Sequence, residues 1–537
     1  MVKIIAKNHQ ELKEKYLGFN IDGMIDKKIK YFTIKPFKEK EKIIWIDDIK
    51  EFLILINEDF IEEKKEIIEK KEEIVEQETE DDPDYMERKE LKWKFLELIS
   101  GEKKKWSDAT ELLVNYILEK NYIYTTKEDN KNETWIYRDG VYVPQGKSEI
   151  KIILRDILDC AYSHYIYGLV LNKIEVDTFV DVNEFFKERY LEEIPVQNGI
   201  LNIFTREIKP FTPEKIFFNK MPVKYDPKEK CNLIEQFLND ILPVEEDKNV
   251  FFEIGGFCLM NEYKYEKSFM FVGNGRNGKD KSLELLKRLV GVENCSAIPL
   301  QQLNDDFAIS ELFGKKINLA GDISNQDLKD TSMFKALTGR SLISAKRKFL
   351  SNVVFVNKAK FIFACNDLPM VYDVSRGFWD RWILLQFPYT FVTQEELDKQ
   401  KENKFFKLKD DDIINKITTE EELSGLLNLF LDGLDRLNKN KRFSQTAGTD
   451  EIKNFWIRKS NSFMAFCYDF LEEDYENRIT KKNLKKKYIA YCKKHKVTPK
   501  SAYVVKRVLE ETFGVEEGFD GTDRYWDGIK FKITGVT

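Results

Sequence analysis

Residues 269–291, FMFVGNGRNGKDKSLELLKRLVG, set Gly273, Asn274, Gly275, Arg276, Asn277, Gly278, Lys279, Asp280 and Lys281 between an apolar run and a leucine-rich segment. Glycines at this spacing let successive backbone N–H groups converge on phosphate oxygens. The positive end of a following helix adds to the attraction, and Lys279 can reach the β- and γ-phosphates. The pattern is G-x-x-x-x-G-K, but Asp280 stands where a Ser or Thr hydroxyl ordinarily touches Mg²⁺. A carboxylate is also a hard oxygen donor, so the residues point to ATP with Mg²⁺ and to Asp280 as a metal ligand. The extra negative charge beside a triphosphate carries an electrostatic cost. Ser282 falls on another side of the helix and is a poor substitute.

A hydrolysing site needs further groups at the ends of later strands. Asp322 follows INLAG and can hold Mg²⁺ through water. Asn366 follows KFIFAC and can orient the attacking water or sense the γ-phosphate. Arg381 precedes the apolar run WILLQF and can stabilise phosphoryl charge on a neighbouring subunit's nucleotide. The elements that must position them are short apolar runs ending in polar groups, as buried parallel strands present chemistry at their carboxyl ends. SFMFVG supplies the strand before the loop, and Leu283, Leu285, Leu286 and Leu289 supply the apolar face of the helix after it.

At 537 residues the chain exceeds one hydrophobic core, so several domains are expected. Its 88 basic and 94 acidic residues leave a net charge of -6, so any contact with a polyanion must come from local basic patches. Seven scattered cysteines without a C-x-x-C pair, and only three histidines, exclude a locally spaced zinc ribbon and fit reduced, buried thiols. No signal-like apolar segment opens the sequence and no run of about 18 apolar residues occurs, which predicts a cytoplasmic protein without a membrane partner.

Residues 1–84 read as short β-like runs, an apolar helical end at IKEFLILIN, and a charged helix over 59–80 with one thin apolar stripe. Residues 85–266 alternate helices with the strand-and-turn segments TWIYRDGVYVPQ and VQNGILNIFTREIKPFTPE, the second with a turn at Asn198-Gly199. The strand and loop pattern begins at 267, and 395–437 reads as helical. Residues 438–450, NKNKRFSQTAGTD, form a polar linker. The unit at 451–537 is helix-rich and closes with a turn in RYWDGIKFKI.

Together the segments GNGRNGKDKSLELL, GKKINLAGDIS, FKALTGRSLISAKRKF, KAKFIFACNDLP and GFWDRWILLQFP resemble the superfamily 3 helicase domain of phage, plasmid and archaeal-element primase-helicases, the group that includes the poxvirus primase-helicase. The resemblance runs from about Trp135 to the C-terminus. It implies an α/β architecture: an AAA+-like P-loop ATPase core with helical lid (267–437), preceded by an α+β helicase-associated domain (85–266) and followed by a winged-helix domain (451–537). It further implies a hexameric ring of this chain with ATP between subunits and single-stranded or forked DNA as partner. The family's DNA-gripping element falls on LISAKRKFLSNVVFV, a β-hairpin with Lys346, Arg347, Lys348 and Phe349 near its tip.

The sequence departs from the family at Asp280. It also lacks a second acid beside Asp322, leaving Asp322, Asp327 and Asp330 as candidates for the water-activating base, and it carries Arg340 where an Asp is common. Three functions remain open: a replicative helicase, a primase-helicase component with priming supplied by this chain or by a separate primase or polymerase, and an origin-binding or packaging ATPase that does not unwind. Against priming by this chain, the N-terminal 130 residues offer only His9 and the imperfect acid pairs of IDGMID and WIDDIK.

Overall fold

The computed structural model describes residues 83–532 apart from 101–102, 128–131, 188, 325, 348–351, 374, 401, 446 and 496, together with five short strands within 2–56. The charged helix expected over 59–80 lies outside the described residues. The chain divides into two compact units, 1–116 with 152–170 and 117–151 with 171–537.

In the first unit, Val2–Ala6 pairs antiparallel with Phe52–Ile56, and Ile21–Asp22, Tyr31–Ile34 and Lys42–Trp45 form a three-stranded sheet. The expectation of a helical end at IKEFLILIN is therefore corrected: FLILI is a strand. Five consecutive apolar residues suit a short strand as well as a helix, and long-range pairing with Val2–Ala6 decides the outcome.

The second unit is built on a five-stranded parallel sheet. Its strands are β1 (Ser268–Val272), β2 (Cys295–Ser296), β3 (Ile317–Ala320), β6 (Lys360–Cys365) and β7 (Trp382–Gln386), in the spatial order β2-β3-β6-β1-β7. All side chains of β1, β3 and β6 are buried, as both faces of a covered parallel sheet require. Helix α1 (Lys279–Val290) follows the glycine loop and buries Leu283, Leu285, Leu286 and Leu289, the apolar face read from the sequence. Helix α2 (Ser332–Thr338) packs Phe334 flat on Trp382 of β7, at 4.9 Å between ring centroids. Between α2 and β6 lies the expected hairpin, β4 (Leu342–Ala345) paired antiparallel with β5 (Val353–Val356).

Both strand-and-turn segments before the core form antiparallel pairs, the second with its turn one residue earlier than the expected Asn198-Gly199. Thr134–Arg138 turns at Asp139-Gly140 into Val141–Val143, and Glu193–Val196 pairs with Gly199–Asn202. The second turn is made by Gln197 and Asn198, with Gly199 already in the strand. A Cβ on Gly199 would lie 2.5 Å from the Lys209 carbonyl oxygen.

The region expected to be helical over 395–437 contains a strand, Phe406–Leu408, pairing parallel with Thr390–Val392 before helix Glu420–Asn440. The polar linker begins inside that helix and buries Phe443 in the main core. Helices Thr449–Ser460, Ser462–Phe470, α3 (Lys481–His495) and α4 (Ala502–Phe513) follow, with a three-stranded sheet in which Arg524–Phe531 is central. The closing segment is thus one strand rather than a turn. Gly528 takes a positive φ of 92° inside it, opposite the break in register between Glu473 and Arg478. Among the described residues no helix is long and apolar enough to cross a membrane.

Candidate functional site

The registers that align β1, β3 and β6 bring their carboxyl ends to one edge: Val272 pairs with Cys365, and Ala320 pairs with Phe363. The glycine loop, Asp322 and Asn366 all emerge there. Gly273 is required by close approach, since a Cβ would lie 2.2 Å from the Asn277 amide nitrogen and 2.4 Å from the Phe387 carbonyl oxygen. Gly278 takes a φ of 92° and turns the chain into α1. Gly275 meets nothing within 4 Å, so its lack of a side chain answers no steric demand within this chain.

Lys279 is 2% exposed and folds back into the loop. Its Nζ donates to the carbonyls of Gly273 and Asn274, to Asn277 Oδ1 at 3.2 Å and to Asn366 Oδ1 at 3.0 Å. Burial pushes its ammonium below the usual lysine range, while Asp280, Cys365 and Asp322 act in the opposite direction. Four oxygen acceptors around one buried cation form an arrangement that phosphate oxygens can replace. Gly278 offers helix α1 no side-chain cap, and only the Lys279 N–H is met by a loop side chain, Asn277 Oδ1 at 3.3 Å, so the first turn remains suited to an anion.

Asp322 is exposed and takes a positive φ of 47°, just after Gly321. Asp280 and Lys281 lie exposed on the first turn of α1, whereas Ser282 is buried and donates to the Gly278 carbonyl at 3.0 Å. Arg276 pairs with Glu396 at 3.0 Å, and its carbonyl accepts from Phe391 N–H, tying the loop tip to the segment after β7. The thiol of Cys365, next to Asn366, is pushed up to about 12 by burial and is no nucleophile at neutral pH.

Two of the three candidate bases are engaged elsewhere. Asp327 accepts from Arg507 at 2.7 Å and from the Tyr372 hydroxyl at 3.1 Å. Asp330 accepts from Ser332 N–H at 2.8 Å at the start of α2.

Arg381 does not join this cluster. It precedes β7 at the opposite edge of the sheet, about 16 Å away along five residues of strand. There it donates to Thr338 Oγ1 at 2.8 Å, to Glu266 Oε2 at 2.7 Å and to the Gly377 carbonyl. Arg340, unexplained by sequence, takes a φ of 59° and donates to the carbonyls of Tyr263 and Lys264, both at 2.9 Å. It fastens the turn after α2 to the segment leading into β1, which an Asp could not do because it has no donor.

On the hairpin, Lys346 pairs with Asp306 at 2.9 Å and Arg347 with Glu133 at 3.3 Å, while Lys348 and Phe349 lie outside the described residues. All seven cysteines are free; Cys160 is exposed and Cys295 half-buried, against the expectation that all are buried. Among the described residues no group of three or more His, Cys, Asp or Glu could hold a metal ion.

Two family models match parts of the chain: a family of unknown function, DUF5906, over 271–381, and a D5 N terminal like model over 65–243. The candidate helicase V13 of the Sputnik virophage is 22% identical over 355 residues, which are 63% of this chain and 44% of that protein. The candidate helicase L207/L206 of Acanthamoeba polyphaga mimivirus is 22% identical over 312 residues, 54% of this chain and 31% of that protein. The chain therefore spans less than half the length of either relative. Apo structures of the NrS-1 C-terminal region are similar at 14% identity, covering 78% of this chain, with TM-scores of 0.38 and 0.41.

Proposed function

Because this chain belongs to the superfamily 3 primase-helicase family of phages and viruses, we propose that it is an ATP-driven DNA helicase serving replication of a virus or mobile element. The observation that carries this reading is the buried Lys279 ammonium, held by the glycine-loop carbonyls and by Asn366 Oδ1 at 3.0 Å on one edge of a parallel sheet. The relatives named as candidate helicases and the order β2-β3-β6-β1-β7 support an AAA+-like P-loop core. Helices α3 and α4 beside a three-stranded sheet support a winged-helix unit at the C-terminus.

Lys279 and the N–H groups of 274–279 would bind the phosphates, Asp280 and Asp322 would hold Mg²⁺, and Asn366 would orient water. ATP, when bound, supplies the phosphoanhydride whose cleavage drives movement. With Asp327 and Asp330 engaged by other partners, Asp322 is the base that remains. Arg381, at the far edge, would serve the site of a neighbouring subunit in a ring, a hexamer in this family, and the hairpin would face single-stranded DNA in the pore. A separate primase or polymerase would complete the replication apparatus.

The deciding experiment measures ATP turnover with and without single-stranded oligonucleotide, alongside strand displacement on a forked duplex. Turnover with displacement is expected. Absence of turnover under every condition overturns the motor, and turnover without displacement points to an origin-binding or packaging ATPase. Asp280→Ser should change the Mg²⁺ dependence of nucleotide binding; an unaltered dependence removes Asp280 from the metal site.

A further inference from the structure

Alternation along the hairpin turns Ile343, Ala345, Val353 and Phe355 into the core and leaves Leu342, Val354 and Val356 exposed. Leu342, Val354 and Val356 of the outer face, together with Val353 and Phe355, line a cavity of about 1050 Å³, at the top of the range for ligand sites. Trp135, Phe186, Phe218, Lys220, Phe313 and Lys315 also line it. We propose that this groove receives unstacked bases of single-stranded nucleic acid, their phosphates running along its basic rim. The proposal rests on the reading of the chain as a motor on DNA and adds to it a base-stacking surface beside the hairpin, with Arg347 common to both.

Two observations select this occupant. The first is a run of aromatic rings. Phe186 lies 5.2 Å from Phe218 and 5.2 Å from Phe313, Phe313 lies 5.6 Å from Phe355, and Trp135 lies 5.4 Å from Phe186. Phe186, Phe218 and Phe313 are only half-buried, so ring surface remains open to a ligand, and any base can stack on such a surface. The Trp135 indole N–H is buried without an acceptor.

The second is charge. In a chain with net charge -6, the charged residues lining the groove are Lys220, Lys315, Lys358 and Arg347, the last already paired with Glu133, against the single carboxylate of Glu293. Lys220 donates to the Asp139 carbonyl and Lys315 to the Glu293 carbonyl. Those acceptors are neutral, so these contacts leave both charges available to phosphate. An apolar peptide would have no use for the cations, and a purely electrostatic surface would have no use for the rings.

The test compares binding by the full chain of a thymidine oligomer of about 12 nucleotides and of an abasic oligomer of equal length. Phe313→Ala should weaken binding of the thymidine oligomer about five- to hundredfold, the range for losing one base–aromatic stack, and leave the abasic oligomer unchanged. Phe313→Tyr should restore binding, and thermal melting checks that each variant is folded. Lys220→Ala and Lys315→Ala should weaken both oligomers and each reduce the slope of log affinity against log salt by about 0.7.

Equal loss on both oligomers, or unchanged thymidine binding by folded Phe313→Ala, overturns the proposal; the unchanged case would give the groove to a protein partner. Basal ATP turnover, measured in the same preparations, separates the two readings. Turnover with an inert Phe313→Ala sinks the base site alone, whereas base-dependent loss without turnover sinks the motor alone.

Discussion

The two edges of the parallel sheet each bury lysine, and they use it differently. At the carboxyl edge Lys279 is 2% exposed, and its acceptors belong to a surface loop and to the exposed Asn366. At the amino edge Lys316 and Lys360 are 2% and 0% exposed. Lys316 donates to Asn261 Oδ1 at 2.8 Å; Lys360 donates to the Met260 carbonyl and lies 5.1 Å from the Phe257 ring centroid. Burial of a cation is therefore no mark of function. What separates the edges is whether the acceptors can be exchanged for a ligand's oxygens or are buried at the C-terminal end of the helix Glu245–Leu259.

The largest effect expected concerns the one amino-edge residue assigned a chemical role. Arg381→Ala should lower ATP turnover by about 10³-fold or more, as loss of a charge-stabilising arginine does. Mixing that variant with Lys279→Met protein should restore part of the activity, because mixed rings contain sites with an intact lysine beside an intact arginine. No recovery on mixing, with ring formation verified, would mean that Arg381 serves only its own chain through Thr338 and Glu266.

Next in size is Lys279→Met, which should reduce turnover about 10²- to 10³-fold, as removal of one preorganised charge donor does. Lys360→Met should give the opposite profile: nucleotide affinity retained, and stability to urea lowered by about 1–3 kcal/mol because the buried Met260 carbonyl loses its donor. Equal effects of the two substitutions on stability and on nucleotide affinity would erase the distinction between the edges.

The carboxyl edge was largely legible in the sequence because its parts are local. Glycine spacing specifies a loop, and an apolar run ending in Asp or Asn specifies a buried strand with a polar terminus. The amino edge was not, because Lys316 and Lys360 find their acceptors at Asn261 and Met260, contacts that exist only after the sheet is assembled. Arg340 is the same case: its partners, the Tyr263 and Lys264 carbonyls, lie 77 and 76 residues away. FLILI reads as a helical end for a related reason, since its pairing partner lies at the start of the chain. Gly275 shows the reverse limit, a motif glycine that meets no neighbour in this chain.

The smallest effect tests whether the carboxyl edge is also held by charge beyond its loop. Asp373, seven residues after Asn366, accepts from Lys335 Nζ at 2.8 Å, from Ser375 N–H at 2.8 Å and from the Thr331 hydroxyl. Burial alone would raise its pKa, but the hydrogen bonds from Lys335, Ser375 and Thr331 outweigh burial and hold the carboxyl well below the ordinary range. A folded value below the unfolded one means that the unfolded chain binds more protons in the interval between them. Asp373 therefore contributes stability above about pH 4, lost as pH falls from there through the folded value. Asp373→Asn should cost about 1 kcal/mol at neutral pH and flatten the fall of the urea midpoint below about pH 4. A variant with an acid limb as steep as the parent's would place the acid sensitivity elsewhere and leave Asp373 a minor tie between α2 and the Asn366 loop.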